Sequence, residues 1–258
     1  MGTQKRNAFS PIAFDKVGDI EAAILRDHFI GAIPLTAITT SGTFSSELTW
    51  TVTDEVGAAT ADVEVLPGEA GNPGIIRLNV GATTPADGDV VSMALGLNDD
   101  QIILDGSGVY FATKLRVPDV DAQKVFFGLT VDPNAAVNGS ETDAVGFTWD
   151  PEDAANVGDA FWFATLNAGG TDNETVLSDV SYVQDDWVIL ECAADDSGAT
   201  FKITTEDGTQ TVNIEDVTTA TMALVYKVEN VGAAEEAVEI DSFVLRYFER
   251  TGTEGLGA

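Results

Sequence analysis

Oxygen-bearing side chains are concentrated in one segment of this chain, residues 131–143, which reads VDPNAAVNGSETD. Carboxylate, amide and hydroxyl oxygens are the hard ligands that Ca²⁺ prefers. The spacing lacks the order of an EF-hand loop, so a polar loop without metal is the alternative. We expect no obligatory cofactor, and calcium is the metal that these residues suit. The candidate ligands are Asp132, Asn134, Asn138 and Asp143.

Histidine and cysteine are too rare for most catalytic chemistry. His28 is the only histidine, and Cys192 is the only cysteine. A Ser-His-Asp relay or a zinc cluster needs more imidazole or thiolate groups than this chain has. Cys192 lies in the apolar run WVILECA, which predicts a small buried side chain. We therefore expect a protein that is not an enzyme.

The charge balance of the chain is strongly negative, with 43 acidic and 12 basic residues and a net charge of −31. Repulsion on this scale destabilises a compact state unless salt screens it. The composition therefore predicts a protein of seawater or of a halophile, and an ordinary acidic soluble protein is the alternative. Without a basic patch, nucleic acid is not expected as a partner.

The sequence also argues against membrane association. No run of 18 apolar residues is present, so no membrane-spanning segment is predicted. The N-terminus has no apolar stretch followed by a small-residue cleavage site, so we expect no secretory signal.

Residues 1–30 differ from the rest because their charges nearly balance and apolar side chains are interspersed among them. We predict an N-terminal arm here that docks on an acidic partner protein or a sister subunit. The alternative is a terminal strand that packs on its own domain. Asp19 is placed to cap a short helix that ends at Leu25. The side chains expected to bind a partner are Lys5, Arg6, Phe9, Phe14 and Lys16.

Alternation of apolar and polar residues dominates the chain after Glu47, and segment 108–131 shows it best. Period-two alternation with β-branched and aromatic residues is typical of half-buried antiparallel strands. Asp207-Gly208 and the segment Asp195 to Gly198 read as hairpin turns. About fourteen short strands without a convincing helix predict an all-β sandwich or barrel of antiparallel strands over residues 31–250. Residues 251–258 read as a flexible tail.

In the order of its strands, the chain resembles the concanavalin A-like lectin/glucanase jelly rolls, and this resemblance implies an antiparallel two-sheet jelly-roll sandwich. More narrowly, it is similar to versions in virion proteins of tailed phages and related viruses. The resemblance covers roughly residues 26–250. It is carried by RDHFIG, PGIIRLNVGATTPADGDVVSM, GVYFATKLRV, KVFFGLTVD, AVGFTWD, ATFKITTEDGTQTVNI and EIDSFVLRYFER.

Lectins of this fold stack an exposed aromatic ring on the sugar, beside Asp or Asn donors. The resemblance therefore implies Trp162 and Phe126 as sugar-binding candidates on a concave face. The alternative places both in the core or an interface, because a sandwich has apolar residues on both faces. By their alternation, Trp50, Trp149 and Trp187 are predicted to be core residues.

Glucanases of this fold carry E-x-D-x-x-E on one strand, and the nearest match here is Glu239-Ile240-Asp241-Ser242-Phe243-Val244. Val244 replaces the third carboxylate, so the acid/base partner of glycoside hydrolysis is missing. The alternative reading is a pair of solvated acids at a sheet edge.

The resemblance implies a structural virion protein, a capsid decoration or head-associated protein that is made in the host cytoplasm. Its expected partners are the major capsid protein or another virion protein, together with further copies of itself, for which a trimer is one arrangement. Two alternatives remain open: a carbohydrate-binding module for host glycans, and a degenerate glycoside hydrolase. All three functions occur on folds of this kind, so the function has to be inferred from the chemistry of the site.

Overall fold

Eighteen β-strands and no helix make up the part of the chain that the computed structural model describes. The described residues are 20–30, 32–38, 41–56, 61–69, 74–80, 86–95, 102–103, 108–133, 137, 143–156, 160–171, 173–216, 220–232 and 234–250. The strands are β1 (Ile20–Asp27), β2 (Leu35–Ile38), β3 (Ser41–Ser45), β4 (Thr49–Val56), β5 (Ala61–Leu66), β6 (Ile75–Val80), β7 (Val90–Leu95), β8 (Ile102–Ile103), β9 (Gly108–Arg116), β10 (Gln123–Thr130), β11 (Ala144–Trp149), β12 (Phe163–Asn167), β13 (Glu174–Val176), β14 (Val188–Asp195), β15 (Gly198–Thr205), β16 (Gly208–Ile214), β17 (Thr221–Asn230) and β18 (Glu236–Arg250).

Two antiparallel sheets contain these strands. Sheet I has the order β16-β15-β14-β9-β18-β6-β5-β2, and β1 pairs with the second half of β18. Sheet II has the order β13-β12-β11-β10-β17-β7-β4-β3, and β8 pairs with the start of β17. The chain crosses between the sheets at about half of its connections, so many neighbouring strands are not consecutive in the chain. The predicted antiparallel two-sheet sandwich is thereby confirmed.

Aromatic rings fill the space between the sheets. Tyr226 stacks on Phe127 at 4.7 Å between ring centroids, and Phe127 meets Phe111 of the facing sheet edge-on at 5.5 Å. Trp50 meets Phe243 edge-on at 5.3 Å, again across the sandwich. These rings are fully buried, and the area that they remove from water is the main favourable contribution to folding.

A pair of glycines fixes how closely β10 and β11 approach. Gly128 lies directly opposite Gly146. A Cβ atom added to Gly128 would lie 2.3 Å from the carbonyl oxygen of Val145, and one added to Gly146 would lie 2.9 Å from Cζ of Phe126. Glycine is therefore required at both positions, because a side chain at either one would collide with the backbone of the facing strand, and at Gly146 also with the Phe126 ring.

The first described strand corrects the domain boundary predicted from sequence. Residues 20–27 form β1 instead of a helix capped by Asp19, and they pair with Phe243 to Arg250 of β18. The buried Asp27 carboxylate then accepts hydrogen bonds from the Phe29 backbone N–H at 2.8 Å and from Trp50 Nε1 at 2.9 Å. Residues 20–30 thus belong to the sandwich, as the alternative of a terminal strand implied. The docking candidates Lys5, Arg6, Phe9, Phe14 and Lys16, and the tail 251–258, lie outside the described residues.

No helix within the described part of the chain is long and apolar enough to cross a membrane.

Candidate functional site

The Trp187 side chain lies on the outer face of sheet I, whereas the alternation of its segment predicted a core position. It immediately precedes β14, in which Val188 pairs with Leu115 of β9, and both of these side chains are buried between the sheets. Alternation turns Trp187 to the opposite side, and its side chain is only half-buried. The prediction that Trp187 is a core residue is therefore wrong.

Two cations of β9 lie over the Trp187 ring. Lys114 Nζ is 5.0 Å from the ring centroid, and Arg116 Cζ is 4.8 Å from it. Both distances are within the range of cation–π attraction. Lys114 and Arg116 share the outer face because they alternate with the buried Thr113, Leu115 and Val117.

Two carboxylates of β18 lie beneath these cations. Glu239 pairs with Arg116 across the strands and accepts hydrogen bonds from Arg116 Nε and from Arg77 Nε, the latter at 3.0 Å. Asp241 lies 3.7 Å from Lys114 Nζ through its Oδ2 atom. Both acids are buried in a central strand, so the alternative of solvated acids at a sheet edge is wrong.

A β-bulge directs Asp241 toward Lys114. The register between β18 and β9 shifts between Ile240 and Ser242, which leaves Asp241 as the extra residue. Bulges of this kind re-aim a side chain and are common next to functional sites. The Asp241 Oδ1 atom is buried and has no hydrogen-bond partner, and burial raises the pKa of this carboxyl despite the nearby Lys114.

We call the surface formed by Trp187, Lys114, Arg116 and Asp241 the Trp187 face. Of each of the Lys114 and Arg116 side chains 19% is exposed, against 9% of Asp241, while 43% of Glu69, which accepts a hydrogen bond from Arg116, is exposed. Burial opposes the charge on Arg116, but Glu239 and Glu69 outweigh it and raise the pKa of the guanidinium. Arg116 is therefore a permanent cation, held in place by carboxylates on two sides.

The outer face of sheet I gathers basic residues in a chain that has few of them. Of the 12 basic residues in the sequence, Arg77, Lys114, Arg116, Lys202 and Arg246 lie here. Lys202 pairs with the buried Glu191, and Arg246 lies 5.6 Å from the ring centroid of Tyr110. Arg77, Lys114, Arg116 and Lys202 are each paired with at least one carboxylate, so the positive charges on this face are balanced locally.

The two aromatic residues expected to stack on sugars lie elsewhere. Trp162 is fully buried in the core, 5.5 Å from Trp149 and 6.1 Å from Tyr182 between ring centroids. Phe126 is on the outer face of sheet II, but Val137 and Val225 cover it and leave 2% exposed. Neither ring presents a face to solvent. Both rings are buried, as the alternative interpretation of these residues predicted.

The calcium candidates are only partly within the described residues. Asn134 and Asn138 lie outside them. Asp132 is exposed, and Asp143 Oδ1 accepts a hydrogen bond from the Gly169 backbone N–H at 3.1 Å. Among the residues described, no group of three or more His, Cys, Asp or Glu side chains is arranged to hold a metal ion. Calcium at this loop stays a prediction.

One signal in the sequence marks Trp187 as an outer residue. Glu191 lies four positions further along the same strand, hence on the same face, and a charged residue marks the solvent side. Ile189 lies between Trp187 and Glu191 on the same face and is apolar, so the run WVILECA shows no clear alternation. The pairing of β14 with β9 was required to recognise that Trp187 lies beside two cations.

Comparison with known proteins found no matching family model and no matching curated protein. Among solved structures, the lectin UEA-II complexed with galactose is similar at 8% identity and a TM-score of 0.49, over 84% of this chain and 98% of that chain. The metal-free VIP36 exoplasmic/lumenal domain is similar at 12% identity and a TM-score of 0.49, over 90% and 95%. The CBM2 module of the evolved Dit protein of Lactobacillus casei BL23 phage J-1 is similar at 9% identity and a TM-score of 0.41, over 90% and 99%. These similarities concern the sandwich architecture alone.

Proposed function

We propose that this protein is a non-enzymatic carbohydrate-binding module whose ligand rests on the Trp187 face. The observation that carries the proposal is a half-buried indole ring on the outer face of sheet I, with Lys114 and Arg116 over it and the bulged Asp241 next to Lys114. Sugar rings present C–H groups that pack on an aromatic face and hydroxyl groups that need hydrogen-bond partners. A few polar groups beside an apolar surface are the usual composition of a small-molecule site.

Rigid strands hold these side chains in place. Arg116 is fixed by Glu239 and Glu69, and β9 lies between two long neighbours, β14 and β18. A site on paired strands loses little conformational freedom when ligand binds, which favours affinity. This arrangement supports binding rather than turnover.

Hydrolysis is not expected at this face. Both carboxylate oxygens of Glu239 accept hydrogen bonds from guanidinium groups, Oε1 from Arg77 and Oε2 from Arg116, so neither oxygen is left for a scissile bond. Glycoside hydrolysis needs two carboxyl groups free to act on the scissile bond. Release of reducing ends from β-glucans by this protein would contradict the proposal.

The experiment that tests the function is a glycan array with the full chain, followed by titration of the glycans that bind. Trp187→Ala should weaken binding at least about tenfold because the stacking surface is lost, and Trp187→Phe should keep part of it. Val183→Ala is the matched control, since Val183 is an exposed apolar residue in the same connection. Absence of any bound glycan, or equal affinity of Trp187→Ala and wild type, would refute the proposal.

We also propose, from the sequence resemblance, that the module works on a virion, attached to the major capsid protein or another virion protein. The position of β1 determines where a deletion that tests docking by the N-terminal arm should end. Deletion of residues 1–26 would remove most of β1, so the deletion should end before Ile20. Loss of particle association on deleting residues 1–19, with an unchanged melting temperature, is expected; continued association would refute docking by this segment.

A further inference from the structure

We infer that residues 7–14 of one copy of this chain add as an extra strand to the outer edge of β16 in a second copy. This inference goes beyond the proposed function, since neither a glycan nor a virion partner takes part in it. It assigns to the N-terminal arm a binding surface on a sister subunit.

The outer edge of β16 is an unprotected sheet edge. β16 is the last strand of sheet I on one side, and no strand of the described part of the chain lies beyond it. Its sequence, GTQTVNI, has no charged residue and no proline, and its register with β15 has no bulge. Charges, prolines and bulges usually keep other chains from the unpaired N–H and C=O groups of an edge. Their absence from β16, in a chain with 43 acidic residues, indicates an edge that accepts a strand.

The other sheet edges within the described ranges suit strand addition less well. β2, β3, β8 and β13 contain between two and five residues each, against seven in β16. β1 contains eight residues, but Glu21, Arg26 and Asp27 are charged. β16 is therefore the long, regular and uncharged edge of this part of the molecule.

Acidic residues flank β16 at both ends. Glu206 and Asp207 form the turn before it, Glu215 follows it, and all three are exposed. None of the three forms an ion pair with another described residue. A strand that pairs with β16 would therefore meet negative charge at each end and none along its middle, so basic ends would suit it.

The N-terminal arm contains a segment with that charge pattern. Residues 7–14, NAFSPIAF, are uncharged, and Lys5, Arg6 and Lys16 flank them against the single acid Asp15. The segment is close in length to the seven residues of β16. Because it is basic at both ends and β16 is acidic at both ends, the charges match in a parallel or an antiparallel pairing.

Pro11 sets which edge of the segment can pair. Proline has no N–H group, so in a sheet its nitrogen faces away from the neighbouring strand. Backbone N–H groups of successive residues point to opposite edges of a strand, so those of Ile12 and Phe14 would face β16, while Pro11 and Ala13 would face outward. The new edge would then carry a proline, which stops the addition of a further strand.

The arm of the same copy cannot reach this edge. A strand beyond β16 would lie six strand spacings from β1, because β18, β9, β14, β15 and β16 lie between them. At about 4.8 Å per spacing, the separation is about 29 Å. Residues 15–19, which join Phe14 to Ile20, extend at most about 22 Å. The added strand must therefore come from a second copy.

The first test is sedimentation velocity of the full chain at physiological salt. We expect self-association that is abolished by deletion of residues 1–19. The deletion leaves β1 intact, so the melting temperature should not change. A full chain that is monomeric at every concentration measured, or a deleted chain that associates to the same extent, would overturn the inference.

The second test uses a labelled synthetic peptide of residues 1–19, whose binding to the deleted chain is followed by fluorescence anisotropy. Methylation of the Ile12 backbone nitrogen should abolish binding, because it removes an N–H group that pairs with β16. Methylation of the Ala13 nitrogen is the matched control and should have little effect. Equal binding of the two methylated peptides would rule out strand addition.

Charge substitutions test whether β16 is the acceptor. Glu206→Gln together with Glu215→Gln should weaken peptide binding about fivefold, because one exposed ion pair is lost at each end. Glu64→Gln together with Asp196→Asn is the matched control, since it removes two exposed acids elsewhere along sheet I and should leave the affinity unchanged. Equal effects of the two pairs of substitutions would indicate general electrostatic attraction and overturn the assignment to β16.

These experiments and the glycan experiments fail independently. Self-association through the arm without any glycan binding would support the inference and refute the proposed function. Glycan binding that depends on Trp187, in a chain that stays monomeric, would do the reverse.

Discussion

The Tyr226 hydroxyl donates a hydrogen bond of 2.8 Å to Thr113 Oγ1 and so joins the two sheets through the middle of the core. Thr113 Oγ1 in turn donates to the Ser242 carbonyl oxygen at 3.0 Å. Thr113 directly precedes Lys114, and Ser242 directly follows Asp241. The link therefore fixes, from inside the sandwich, the two strands that carry the Trp187 face.

Removing that link should cost little stability. Tyr226→Phe deletes the donor, while Thr113 keeps its bond to the Ser242 carbonyl, so we expect a loss of about 1 kcal/mol in the free energy of unfolding. Burial raises the pKa of the Tyr226 hydroxyl, which therefore remains a donor at ordinary pH. Urea denaturation measures the loss, and an unchanged midpoint would show that the bond contributes nothing.

The buried Glu239 should contribute more to the free energy of unfolding than the exposed Glu64. Glu239→Gln leaves Arg77 and Arg116 without their shared counter-ion, and we expect a loss of about 2 kcal/mol, less than for a fully buried pair because both guanidiniums reach solvent. Glu64→Gln is the matched control. It removes an exposed partner of Arg77 at 3.7 Å and should cost less than about 0.5 kcal/mol. Equal losses in the two variants, measured by denaturant unfolding, would contradict this ranking.

Two carboxyl groups should make the fold less stable as pH rises. Burial, with Asp119 and Glu235 nearby, raises the pKa of Glu236 to about 7, and burial with Asp89 nearby raises that of Asp54 to about 6. Because the folded pKa exceeds the unfolded one, the folded state binds more protons, and stability falls as pH rises from about 4 to 7. Glu236→Gln and Asp54→Asn should each stabilise the protein by about 1 kcal/mol at pH 8, after allowance for screening by solvent, and by nothing at pH 4. Melting curves across this range test the sign, and a gain that is the same at both pH values would contradict the cause.

Salt should stabilise the whole protein. A net charge of −31 produces repulsion that falls as the Debye length shortens from about 30 Å at 0.01 M to about 3 Å at 1 M salt. We therefore expect the melting temperature to rise steadily between these concentrations of NaCl. Glycerol, which does not screen charge, is the control. A melting temperature insensitive to salt would count against the predicted saline setting.

The sequence by itself determined most of the strands after Glu47 and two of the turns between them. Alternation in 108–117 and 124–131 predicted β9 and β10, and Asp207-Gly208 predicted the hairpin between β15 and β16. Gly208 has a φ of 151°, which glycine adopts without strain. These features are local, because a side chain's position along a strand follows from the period of two and a turn depends on adjacent residues.

Tertiary structure alone decided which aromatic residues face solvent. Alternation states which residues share a face but not which face is inner when both are apolar, as around Trp187 and Trp162. The pairing of β14 with β9 turned Trp187 outward beside Lys114 and Arg116, while packing against Trp149 and Tyr182 buried Trp162. The bulge that directs Asp241 toward Lys114 also arises only where β18 meets β9, more than 120 residues apart in the chain. The candidate site is thus a product of strand pairing, since its four residues come from β9, from β18 and from the segment that leads into β14, which no local pattern connects.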